Sequence, residues 1–301
     1  MTTYYSHGKL LLTGEYVVLD GALALAVPTK FGQSLEVEPI SATHIEWIGY
    51  EENGNIWVQE IFTLTQIQGT SQPVTDVRSR LLQLLQFCYQ ESPWEGGFKM
   101  HTKLTFPRNW GLGTSSTLVN NLAQWRKIDA WDLLQATFGG SGYDIACAKN
   151  EVPIIYQLLD GNPLVKRVNF LPKFSKYLYF VHLNQKQDSQ REVQKYLRKN
   201  HDWAKTIQPI NRITKTVLAC SDVQEFVQLI REHEVKMSDV LQSPTIQETF
   251  FSDFEGGIKS LGAWGGDFVL VVSQNNPSSY FASKGYTTIL RYDEMVLPSV
   301  G

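Results

Sequence analysis

Two glycines, three consecutive hydroxyls and an apolar run share one window, Gly111-Leu112-Gly113-Thr114-Ser115-Ser116 and its continuation to Trp125. Glycines let the backbone turn tightly and approach a ligand with no Cβ in the way. A helix starting here would offer unpaired amides beside hydroxyls, which is an anion site, and one such hydroxyl can ligate Mg2+. The same residues also read as a Gly turn capped by Ser or Thr, and the window alone does not separate the two. Two nucleotide fingerprints are excluded. "YYSHGKL" lacks both the leading glycine and the Ser/Thr of a Walker loop, and Ser116 stands where G-x-G-x-x-G needs its third glycine.

Three further stretches carry chemistry-bearing residues among glycines. "FGGSGYDIACA", 138–148, brings Asp144 to the end of a Gly-Ser-Gly turn and the head of an apolar run. An acid in a first helical turn suits the macrodipole, and equally the glycines clear room for Asp144 to orient and deprotonate a substrate hydroxyl. "GGIKSLGAWGGDFVLVV", 256–272, holds five glycines around a bend. A helix C-cap needs one, so the others imply close backbone approach to a ligand or another segment. "SHGKLLLTGEYVVLDG", 6–21, sets Lys9 at the head of a strand and Glu15 after Gly14. A lysine there is either a solvated surface charge or an ammonium that needs a partner.

The elements that must position these residues follow from hydrophobic periodicity. Residues 10–18, 22–27 and 34–40 read as strands, and "HIEWIGY" and "IWVQEIFTL" as a hairpin around an Asn-Gly turn. Val77, Leu81, Leu84, Leu85 and Cys88 fall at helical spacing within 75–91. "FKMHTKLTF" is a strand and "DAWDLLQATF" a short helix, so two glycine-rich turns each lead into a helix. Beyond a boundary near 160–172 come a strand at "YLYFVHL", helical patterns from about 191 to 263, and strands at "DFVLVVS" and "YTTILRY".

At 301 residues, 43% hydrophobic and 19% charged, the chain suits two globular domains. A net charge of −3 lacks the basic footprint of a nucleic-acid binder, so a small-molecule substrate is the expected partner. Three scattered cysteines make neither a disulfide framework nor a metal pair, which fits a reducing cytoplasm. No basic-then-apolar leader opens the sequence and no run approaches about 18 apolar residues, so export and membrane insertion are not expected.

The order of the motifs is more specific than any one of them: Gly-Lys with "GEYVVLDG", then "PRNWGLGTSS", "GSGYD" and "GAWGGD". Together, from Lys9 to about Val272, they resemble the GHMP kinase superfamily, with "GYDIA" similar to the small subfamily sometimes called by that string. The resemblance implies an α+β fold of two domains with ATP between them. These are an N-terminal mixed β-sheet with helices, taken as 1–165, and a C-terminal ferredoxin-like domain, 166–301, in a monomer or homodimer. Pro107, Gly111, Leu112, Gly113, Thr114, Ser115 and Ser116 meet the family's phosphate-loop pattern. Ser115 then takes the Mg2+-facing position, Asp144 that of the catalytic aspartate and Lys9 that of the lysine beside the substrate hydroxyl. The implied chemistry is phosphoryl transfer from ATP to a small hydroxyl compound.

Three departures qualify it. His7 stands where the family has Pro before Gly-Lys. A Glu that ligates Mg2+ in relatives is missing, leaving Asp132 and Gln135 near its place, and Asp132 is taken as the second metal ligand. Trp264 replaces a glycine of the third motif, where it either lines the acceptor pocket or packs. "GAWGGD", "GSGYD" and "GEYVVLDG" are closer to phosphomevalonate kinases than to galactokinases or homoserine kinases. Mevalonate 5-phosphate or mevalonate is the expected acceptor, in isoprenoid precursor synthesis, met by Glu15, Ser141, Gly142, Arg191, Gly262, Ala263 and Trp264. Lys186 and Lys259 are further cations for its phosphate. The rival readings are a kinase for a sugar or homoserine, and a silent nucleotide-binding relative.

Overall fold

The computed structural model describes residues 1–70, 73–185, 189–198 and 203–298. In its first half the strands are β1 (Thr2–Thr13), β2 (Ala24–Ile40), β3 (His44–Tyr50), β4 (Ile56–Thr63) and β5 (Gly97–Leu104). The helices of that half are α1 (Leu64–Gln68), α2 (Val77–Glu91), α3 (Thr114–Arg126), α4 (Ala130–Thr137) and α5 (Tyr143–Ala148). Strands β6 (Ile154–Leu159), β7 (Asn162–Arg167) and β8 (Leu178–His182) follow, then helices α6 (Ser189–Leu197), α7 (Trp203–Ala219), α8 (Val223–Leu241) and α9 (Ile246–Phe250). Then come β9 (Gly257–Leu261), β10 (Phe268–Val272), α10 (Ser278–Ser283), β11 (Ile289–Arg291) and α11 (Tyr292–Met295).

Two compact units emerge, and neither is one continuous stretch. The first holds Met1–Gly8, Phe31–Arg108 and Leu112–Lys149; the second holds Lys9–Lys30, Asn109–Gly111 and Asn150–Gly301. A single cut at 165 therefore does not divide them, because β1 and β2 each give one end to either unit.

In the first unit β3 lies between β4, antiparallel, and β5, parallel, with Trp47 opposite Glu60 and Met100. Strand β5 then pairs antiparallel with the far half of β2, Met100 opposite Val37. Burial alternates residue by residue along β3, as a sheet with one covered face requires. Leu35, Trp47, Phe62 and Met100 from that face pack with Leu84 and Leu85 of α2, Val119 and Leu122 of α3, and Leu133 of α4.

In the second unit four strands run in the order β11–β8–β10–β9, and each neighbouring pair is antiparallel. With helices between β8 and β9 and α10 before β11, this is the expected ferredoxin-like arrangement. Strands β8 and β10 are buried at every position, which is why "YLYFVHL" and "DFVLVVS" read as continuous apolar runs rather than alternating ones. Val181, Val269 and Val271 pack with Phe251 and Phe281 on one side.

Two expectations change and one element is new. The helical pattern does not run to 263, because "GIKSL" is β9, its five residues buried and paired along β10. The strand expected to reach Val18 stops at Thr13, and Val17–Asp20 is a 3-10 turn. Residues 154–167 form a hairpin, β6–β7, whose Asp160 (φ 48°) and Gly161 (φ 76°) supply the left-handed pair that a tight Asp-Gly turn demands.

Candidate functional site

The helix behind the hydroxyl-rich loop begins at Thr114 with Gly113 as its N-cap, in the left-handed conformation and without a side-chain cap. The hydroxyls do not cap it from outside. Ser116 Oγ and Thr117 Oγ1 both donate backwards to the Gly113 carbonyl, each at 2.9 Å. A Ser or Thr cap would have filled a first-turn amide; Gly113, as the cap of α3, brings no side chain that could. Ser115 lies exposed in this turn, Thr114 is half-buried and Leu112 anchors the loop in the interior.

The seat of this helix is polar. Ser6 Oγ donates to Asn121 Oδ1 at 2.6 Å and accepts from Asn120 Nδ2 at 2.8 Å. Asn121 Nδ2 reaches the Gln33 carbonyl at 2.9 Å, and Thr117 Oγ1 reaches Gln33 Oε1 at 2.8 Å. All five residues are buried, and every bond is long-range in sequence or crosses between α3 and the strands beneath it. Sequence reasoning missed this network, although Asn-Asn inside an otherwise apolar helical stretch was its visible mark.

Helices α4 and α5 pack against α3 and against each other. Asp144 therefore comes from the same corner of the first unit, in the first turn of α5, half-buried, with Oδ1 accepting from the Ile145 amide at 3.0 Å. Gly142 makes that turn possible: at φ 73° a Cβ there would lie 2.1 Å from Cζ3 of Trp131. Ser141 beside it is buried. Asp132 stands exposed on α4. Among the described residues no three His, Cys, Asp or Glu side chains gather as a metal cage. His7, half-buried, meets Tyr5 edge-on with ring centroids 5.2 Å apart.

In the second unit Lys9 is half-buried and its Nζ donates to the Gly111 carbonyl at 2.9 Å. Gly111 is hemmed in from behind, since a Cβ would fall 1.9 Å from Asp267 Oδ2. Gly262 faces open space, Ala263 is buried, and Trp264 is fixed at two points. Its amide donates to the Tyr16 hydroxyl at 2.6 Å and its indole Nε1 to the Pro244 carbonyl at 3.1 Å. Arg191 is exposed on α6, and Lys186 lies outside the described residues.

Two expectations fail here for one reason. Glu15, expected to meet substrate, is 4% exposed, and Lys259, expected to meet a phosphate, is 1% exposed. They are each other's partner: Lys259 Nζ donates to Glu15 Oε1 and to the Ser260 carbonyl. His233 and Glu234 of α8, also buried, close the group, with Glu234 Oε1 at 3.7 Å from Nζ and His233 Nε2 at 3.3 Å from Glu15 Oε2. His233 Nε2 accepts the Gly14 amide proton at 3.0 Å, so the ring is neutral and has no proton there to give Glu15. Burial holds His233 well below the usual imidazole range, with Lys259 acting the same way. Burial likewise raises the carboxyl of Glu15 against the opposing pull of Lys259, and raises Glu234 to about 7. The signal was present in the sequence: His233 and Glu234 occupy the apolar stripe of α8, between Ile230 and Met237.

No protein-family model and no curated protein matches the sequence. Solved structures do match in fold. Mevalonate kinase of Methanococcus jannaschii superposes with a TM-score of 0.73 at 12% identity, over 99% of this chain and 98% of that one. Phosphomevalonate kinase of Streptococcus pneumoniae, in complex with phosphomevalonate and AMPPNP, gives 0.70 at 16% identity over 97% and 100%. Galactokinase of Lactococcus lactis, complexed with galactose, gives 0.71 at 13% over 99% and 93%. The chain has the α+β fold of the GHMP kinases.

Proposed function

We propose, on the premise of that shared fold, that the chain is an ATP- and Mg2+-dependent small-molecule kinase acting on mevalonate 5-phosphate or mevalonate. The observation that carries the reading is the head of α3, where the cap is a glycine with no side chain to fill the helix amides and Ser115 beside it is exposed. Amides so placed fit a triphosphate. The loop Gly111–Gly113 and the amides of Thr114, Ser115 and Ser116 hold the phosphates. Ser115, with Asp132, would supply oxygen to Mg2+, which needs only one or two protein ligands beside phosphate and water and which would neutralise charge on the transferring group. Asp144 takes or orients the acceptor's hydroxyl proton, and Lys9 stabilises the alkoxide that develops.

Ser141, Gly142, Gly262, Ala263 and Trp264 border the acceptor, and Arg191 is the cation for its phosphate. Glu15 and Lys259 have no share in that contact, because each is buried and committed to the other. Acceptors from the mevalonate pathway are favoured by "GAWGGD" and "GSGYD" and by the mevalonate and phosphomevalonate kinases among the similar structures. The test is ADP release by the purified protein with ATP, Mg2+ and, in turn, mevalonate 5-phosphate, mevalonate, galactose and homoserine. Turnover confined to one of the first two is expected. Release above background with only a sugar or homoserine overturns the acceptor, and none with any overturns the kinase.

A further inference from the structure

The turn Gly14–Glu15–Tyr16–Val17 is strained and is held from three sides. Tyr16 sits at φ 60°, ψ −55°, and the Val17 amide bonds the Glu15 carbonyl at 2.7 Å. That is a γ-turn of positive φ, rare because an L side chain at its centre is crowded. Such a conformation persists only where its surroundings over-determine it. Here His233 takes the Gly14 amide, Lys259 takes the Glu15 carboxylate, and the Tyr16 hydroxyl takes the Trp264 amide. Two of these three holds come from behind, from side chains at most 1% exposed; the third faces forward, onto the glycine-rich loop 262–266.

A buried ammonium and two buried carboxylates are costly to assemble, and an apolar set would hold a plain turn as well. What a charged set supplies is direction. A hydrogen-bonded ion pair fixes where Glu15 points, and so fixes the backbone angles of its neighbour, which apolar packing does not.

We propose that Lys259 and His233 are positioning residues. They lock the Gly14–Tyr16 turn in its strained form, so that the Tyr16 hydroxyl fixes the Trp264 amide and with it the loop 262–266. None of them touches the reacting groups. The loop itself, with left-handed glycines at 262 and 265, has little stiffness of its own; the Trp264 indole on the Pro244 carbonyl holds a side chain, and the turn holds the backbone at the Trp264 amide. The consequence for acceptor binding rests on the kinase reading above; the consequence for the loop does not.

The experiment pairs two variants with two readouts. Tyr16→Phe removes one hydroxyl and leaves the ring in place. Lys259→Met combined with Glu15→Gln and Glu234→Gln removes all three charged groups together, so no carboxylate is stranded. Amide hydrogen exchange is followed in 262–266, with the adjoining strands 258–261 and 268–272 as internal reference. Exchange in the loop is expected to quicken about tenfold in both variants, the factor carried by one hydrogen bond, with the reference strands unchanged. In turnover assays the acceptor KM rises by a similar factor while the nucleotide KM stays within about twofold. Unchanged loop exchange in Tyr16→Phe overturns the proposal, as does quickening spread equally over the reference strands, the mark of plain destabilisation. If the wild type turns over no acceptor, the kinase reading falls and the exchange result alone still decides the positioning role.

Discussion

At the head of α3 the working groups are backbone amides within reach of solvent, and neutral hydrogen bonds hold them. At the Gly14–Tyr16 turn the holding groups are a buried neutral imidazole and a buried ammonium, contributed from 219 and 244 residues further along the chain. The first arrangement has local ingredients, two glycines, a run of hydroxyls and a helix start, which on the kinase reading make an anion site, while bonds from Ser6 and Gln33 seat the helix. The second is a tertiary device in which every member depends on the others. The contrast separates residues that can do chemistry by type and spacing from residues that act only through what they hold.

Substitutions can break that contrast or sharpen it. Asp144→Asn has the largest expected effect, a fall in kcat of about 10²–10⁴-fold with the melting temperature little changed, measured by ADP release. Turnover near the wild-type level would remove Asp144 from the base role. Lys259→Met alone comes next, as a loss of about 3 kcal/mol or more in denaturant unfolding, since it strands Glu15 in the interior. Adding Glu15→Gln should recover most of that loss. If it does not, the lysine stabilises through packing of its stem and the cluster is not a charge device.

A pH dependence is the third expected effect. Burial raises the Glu234 carboxyl to about 7, well above the ordinary carboxylate range, so the folded state binds its proton more tightly. Its share of stability is therefore lost as pH rises from 4.5 through 7, by about 1.4 kcal/mol per unit at most. His233 works with the opposite slope, because its depressed folded value means that the unfolded chain alone takes up a proton below pH 6.5. Glu234→Gln should thus be more stable than wild type at pH 8. Unfolding curves of that variant should still weaken as pH falls below 6.5. A variant with the wild-type profile would show that Glu234 is not the titrating group.

The same contrast explains what the sequence could reveal. The glycine turn that opens α3, the turn before Asp144 and the alternating strands were legible because glycine, hydroxyl and apolar spacing act within a few residues. Lys259 was misread because "GIKSL" carries no alternation once both faces of β9 are covered, so neither its strand nor its burial was visible. The role of Glu15 was misread because its partners, Lys259 and His233, are adjacent only in the folded chain. The polar stripe positions of α8 held the clue, and a buried charge on one helix gains meaning only once its counter-charge on another element is known.

On the kinase reading, the polar seat of α3 has a consequence for rate as well as for stability. Side chains in van der Waals contact tolerate a few degrees of roll about a helix axis, whereas the directional bonds from Ser6 and Gln33 to Thr117, Asn120 and Asn121 do not. The aim of the first-turn amides is thus set when the chain folds, before any anion arrives. Solvent dipoles would have to reorient around a developing charge at every turnover; dipoles fixed in this way have met that reorganisation energy once, during folding.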